Sequence, residues 1–86
     1  MASDLSWNDL QLLATLAFEK ADDPSVERRD QERWAAVGER VMSSAATAGD
    51  LRATAELAEL DAGLQRDAKV RQRYLDLAQR AVVAAH

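Results

Sequence analysis

A chain of 86 residues has room for one hydrophobic core. With a net charge of −4, an isoelectric point near 4.8 and no cysteine, it excludes disulfides and thiolate metal sites. No apolar run approaches the ~18 residues of a membrane span. The opening MASDLSWNDL, with two acids and no base, has the wrong charge for a secretory leader. These features predict a single cytoplasmic domain over residues 1–86. Nine arginines against two lysines in an alanine-rich chain suit a GC-rich bacterial genome or its phages.

Strand patterns are almost absent, so an all-α fold is expected: a compact bundle of three to four antiparallel helices over about 6–21, 24–47, 51–62 and 68–85. Ser6 is placed as the first N-cap, with Asp9 completing a capping box. Leu5 and Leu10 stand at the positions of a hydrophobic staple. Trp7, Leu10, Leu13, Ala14, Ala17, Phe18 and Ala21 share one face of this helix. Leu12 and Leu16 fall on the opposite side, near Leu5. A surface helix needs one apolar stripe. The second predicts a partner or dimer interface formed by Leu5, Leu12 and Leu16.

The run ADDP ends the first helix, with Asp23 as cap and Pro24 as first residue of the second. A narrow stripe of Val26, Trp34, Val37, Val41 and Ala45 faces inward there. Arg29, Glu32, Arg33, Glu39 and Arg40 mix signs as a solvated face does. AGDL marks the next boundary, with Gly49 in a left-handed C-terminal position and Asp50 capping the third helix. That helix is two-sided. Leu57, Leu60 and Leu64 form a face expected to fill the core, and Leu51, Ala55, Ala58 and Ala62 form one that lets another helix approach closely.

Gly63 and Asp67 predict a break before the fourth helix, whose inward face is Val70, Tyr74, Leu77, Ala81 and Ala85. Without that break, residues 51–85 would form one helix of about 52 Å, the sign of an extended dimer.

The residues that carry chemistry are sparse. His86 is the only histidine and ends the chain, Glu56 and Glu59 lack a histidine partner, and Gly38, Gly49 and Gly63 are isolated. No catalytic, cofactor-binding or metal-binding residue is assigned, and no small molecule is implied. Four bases, Arg66, Lys69, Arg71 and Arg73, lie beside Tyr74 and raise a DNA-binding alternative, against which the acidic isoelectric point weighs. The acids Asp4, Asp9, Glu19, Asp22 and Asp23 raise a second one: a phage-type inhibitor occupying a basic nucleic-acid channel. A non-enzymatic protein-binding module, homodimeric and acting as an adaptor or regulatory subunit, is the leading expectation.

The stretch WAAVGERV (Trp34, Val37, Gly38, Val41) resembles the opening of a tetratricopeptide repeat over eight residues. In that family stacked helix pairs form a groove for peptides. The pattern stops there: Asp50 and Thr54 stand where the repeat requires alanine and an aromatic, and one period on Trp34 meets Ala68. Gly38 is therefore expected to serve close helix packing, with Ala14, Ala17, Ala55 or Ala58 as opposing surface.

Overall fold

The computed structural model describes residues 5–86, which form four helices: α1 (Trp7–Ala21), α2 (Arg28–Met42), α3 (Ala48–Leu64) and α4 (Ala68–Ala84). α1 starts as its sequence dictates. The Ser6 hydroxyl accepts from the Asp9 amide at 3.1 Å, and the Asp9 carboxylate accepts from the Ser6 amide at 3.1 Å. Leu5 is buried and Leu10 packs on the core, as a staple requires.

The boundaries of α2 differ from expectation at both ends. The Asp23 carboxylate does not cap a helix; it accepts from the amide and hydroxyl of Ser25 at 2.9 and 2.7 Å. This Asx-turn closes a short non-helical loop over residues 23–26, and the helix begins only after Glu27. At the far end the Ala45 amide bonds back to the Arg40 carbonyl at 2.8 Å, and the Ser44 amide to Val41 at 3.2 Å. These are the two bonds of a Schellman motif. Its left-handed position is Ser44, with φ 62°, and not a glycine. Gly49 is helical, inside the first turn of α3. Thr47 caps α3, and Asp50 is the third residue of a second capping box, with bonds of 3.0 and 3.1 Å. The expected break before α4 is present, but Gly63 does not make it: α3 runs from Ala48 through Gly63 to Leu64, with Gln65 as its C-cap. Asp67 caps α4 through the Lys69 and Val70 amides, so residues 51–85 are not one helix.

α1 packs along α2, and α3 along α4, as two helical hairpins. α1 also lies against α3, and α2 touches α3 more lightly. A single apolar cluster draws on all four helices, through Leu13, Leu16, Val41, Ala55, Ala58, Leu77 and Ala81. On α3 the inward face is the alanine one. Ala55, Ala58 and Ala62 are buried, while Leu60 and Leu64 stand in solvent. The expectation that the leucine face fills the core is therefore reversed. Small side chains let α3 lie close to both α1 and α4, and leucines in those places would hold the helices apart.

The hairpins share a plan. Moving 41 residues along the chain takes Ser6 to Thr47, and over residues 6–23 six positions keep their residue: Asp9/Asp50, Leu10/Leu51, Ala14/Ala55, Leu16/Leu57, Ala17/Ala58 and Ala21/Ala62. A 40-residue step pairs α2 with α4, matching Arg33/Arg73, Trp34/Tyr74, Val37/Leu77, Gly38/Ala78 and Arg40/Arg80. The correspondence extends to contacts. Arg40 clamps Asp50 with two bonds of 2.7 and 2.8 Å, and Arg80 clamps Asp9 with two of 3.1 and 2.9 Å. Each clamp joins the second helix of one hairpin to the capping box of the other. The Arg40 guanidinium, with the Thr47 amide, holds Asp50 at about 2. Arg80 and Ser6 lower Asp9 in the same direction against the opposing effect of burial.

Gly38 is buried in α2, and the group facing it is Phe18. A Cβ at Gly38 would come within 2.6 Å of Phe18 Cε1. Close packing is the reason for the glycine, but the opposing surface is an aromatic ring and not an alanine face. In the other hairpin the corresponding residues are Glu59 and the buried Ala78.

Candidate functional site

Of the three leucines expected at an interface, Leu5 is 9% and Leu16 6% exposed, and Leu12 is partly buried against the core. Leu5 and Leu16 thus belong to the interior of the chain. The physical reason is the position of α1. α2 covers one of its flanks and α3 the other, with Arg80 of α4 reaching its first turn, so both apolar stripes are used internally. Trp7, expected to face inward, is by contrast exposed.

Leu12 keeps an outward edge. It lines an open groove of about 780 Å³ along α1, with Phe18, Met42, Arg73 and the Asp9–Arg80 pair. Arg73 is one of the four bases singled out from the sequence. The other three are elsewhere: at 100° per residue Lys69 shares a flank of α4 with Arg73, whereas Arg71 lies round the helix and donates to the Gln65 carbonyl at 2.9 Å. Arg66 precedes α4, Asp67 stands between it and Lys69, and Asp76 follows Arg73 by one helical turn. The four bases do not build one surface. Among the acids, Asp9 is buried in its clamp, Glu19 and Asp22 are exposed, Asp23 is half-buried, and Asp4 lies outside the described residues.

The exposed residues that stand out are leucines whose spacing predicts a core face. Leu60 is 66% and Leu64 78% exposed, and with the half-buried Leu57 they form a stripe along the last two turns of α3. Together with Leu16 this stripe lines a groove of about 330 Å³ between the ends of α1 and α3. Glu19 and Lys20 of α1, with Asp23 in the turn that follows, form one wall, and Asp61 joins the leucines on the α3 side. The hydroxyl and amide of Ser25, with Lys20 nearby, lower the Asp23 carboxyl below its ordinary range. Asp23 is charged at neutral pH.

The repeated plan shows what these leucines are not. Leu16 corresponds to Leu57, and both serve the α1–α3 contact. The next positions diverge: Leu60 corresponds to Glu19 and Leu64 to Asp23. At the helical position of Leu60 the first hairpin carries the exposed carboxylate of Glu19; Asp23, the counterpart of Leu64, lies just past the end of α1. Aligning residues 6–23 on 47–64 was the signal that could have found this from sequence.

Comparison with protein-family models, with characterised proteins and with solved structures returned no match. Among the described residues, no helix is long and apolar enough to cross a membrane.

Proposed function

We propose that this chain is a non-enzymatic protein–protein interaction module, a small adaptor or regulatory subunit that binds through the leucine stripe of α3. One observation carries the reading. Leu60 and Leu64 are exposed at positions where the first hairpin keeps Glu19 and Asp23, so helix packing does not require them. Exposed leucines one helical turn apart, rimmed by polar groups, have the composition of a contact patch. The self-association expected from Leu5, Leu12 and Leu16 loses its basis with Leu5 and Leu16 buried. The α3 stripe takes their place as the contact surface.

The test is photo-cross-linking of the full chain in the cells that encode it. A photoreactive residue at position 64 gives a discrete protein adduct, and one at position 71, on α4, does not. An adduct with nucleic acid, or no adduct at position 64, defeats the reading.

A further inference from the structure

We infer that the groove between the ends of α1 and α3 receives a basic amphipathic helix of another protein. The inference rests on the reading of the chain as an interaction module and adds the chemistry of its partner. Leu57, Leu60 and Leu64 span about 10 Å at 1.5 Å per residue, two helical turns. Such a stripe matches a helix laid into a groove with anchors at i, i+3 or i+4, and i+7.

Charge selects the occupant. Glu19, Asp23 and Asp61 line the groove against a single base, Lys20. On α3, Glu56 and Glu59 add two more carboxylates beside the stripe, and the nearest bases, Arg52 and Arg66, stand outside its ends and do not line the groove. A helix with leucine-like anchors flanked by lysine or arginine satisfies both surfaces. Carboxylates beside its anchors would meet like charge at short range.

A second copy of the chain fits less well on the same grounds. Pairing the stripe with itself sets Asp61 and its neighbours against the same acids. The chain's own basic helix, α4, has Leu77, Ala78 and Ala81 buried in its core. The apolar residues that α4 exposes, Leu75 and Val83, are eight positions apart and leave no continuous stripe.

The experiment uses the full chain and two fluorescent, helix-stapled peptides of about 18 residues, long enough to hold a helix. Both carry leucines at i, i+3 and i+7; one has lysine and arginine elsewhere, its twin glutamate. Polarisation titrations should show the basic peptide binding at least tenfold more tightly than the acidic twin. Raising salt from about 0.1 M to 1 M, which shortens the screening length from ~10 to ~3 Å, should narrow that ratio. The double substitution Leu60→Glu and Leu64→Asp installs what the first hairpin already carries. It should abolish binding with the helical circular dichroism unchanged.

Equal binding of the two peptides, lost in the double variant, overturns the charge inference while the interaction surface stands. Binding that survives the double variant, or no binding of the basic peptide to the native chain, overturns the inference. If the native chain sediments as a dimer that the double variant dissociates, the groove belongs to a second copy, and the inference is again overturned.

Discussion

The α1–α2 hairpin sets a part-exposed phenyl ring against a glycine, Phe18 on Gly38. The α3–α4 hairpin has Glu59 and Ala78 at the corresponding positions. A large group opposite the smallest one in the first hairpin becomes a solvent-facing carboxylate and a methyl group in the second. Interior packing is dense, so a change of volume on one helix is felt by its neighbour, and the two sites divide the same interhelical space differently. The exposed ends of α1 and α3 differ without any such compensation. Glu19 and Asp23 become Leu60 and Leu64, and no side chain of the second hairpin covers the leucines. Compensated differences belong to packing. The uncompensated difference at Leu60 and Leu64 is the one on which the proposed contact surface rests.

The clamps give the sharpest test of the equivalence of the two hairpins. Asp50→Ala removes a capping-box acceptor and one side of a partly buried ion pair, and should cost about 3 kcal/mol in urea unfolding. Asp9→Ala should match it to within about 1 kcal/mol, because its partners are of the same kind and its burial is similar. A much cheaper Asp9→Ala would break the equivalence.

Acid probes the same pair. The folded-state pKa of Asp50 is held at about 2, against 3.8 for an ordinary aspartate. A depressed carboxylate contributes stability that is complete above its unfolded pKa and is lost as pH falls through the folded one. About 2 kcal/mol should therefore disappear between about pH 5 and pH 2. Asp9 is shifted in the same direction. Urea midpoints measured across this range should fall steeply in the native chain. They should fall less in Asp50→Asn, which cannot titrate.

The glycine site should show coupling of about 1–2 kcal/mol in a double-mutant cycle with Phe18. Gly38→Ala alone must push the part-exposed ring aside, a cost set against the helix-propensity gain of alanine. In a Phe18→Ala background the same change should stabilise the chain, because alanine is the better helix former by about 1 kcal/mol. Additive effects would mean that ring and glycine do not share the space their geometry implies.

The smallest effect is expected where the hairpins differ most in polarity. Leu60→Glu and Leu64→Asp should each change stability by less than about 0.5 kcal/mol, the range of ordinary surface substitutions. Larger losses would make these leucines part of the core after all.

Fold class was legible in the sequence, and so were the first capping box and the cap at Asp67, because each depends on residues within a turn of one another. Two other boundaries were misplaced by signals of the same local kind. Asp23 is a good cap by type and does bond the Ser25 amide, but the chain makes a turn there and enters α2 only after Glu27. Gly49 is a good helix terminator by type, but Ser44 terminates α2 five residues earlier, and Thr47 is the cap that makes Asp50 the third residue of α3. The repeat was also present in the sequence. It was hidden because six shared residues are spread over eighteen positions and the two halves of the period differ by one residue.

Sequence alone determined that the chain is all-helical, where α1 and α4 begin, and that Gly38 serves close packing. These follow from backbone hydrogen bonding and side-chain size, which act locally. Only the tertiary structure decided which apolar face of a two-sided helix turns inward. α1 is flanked on both sides and buries Leu16 on what looked like its spare face. α3 lies close to its neighbours and turns alanines inward, leaving Leu60 and Leu64 outside. Periodicity can divide a helix into faces. It cannot tell which face is covered, because that depends on how closely neighbouring helices approach, and the closest approach is made by the smallest side chains.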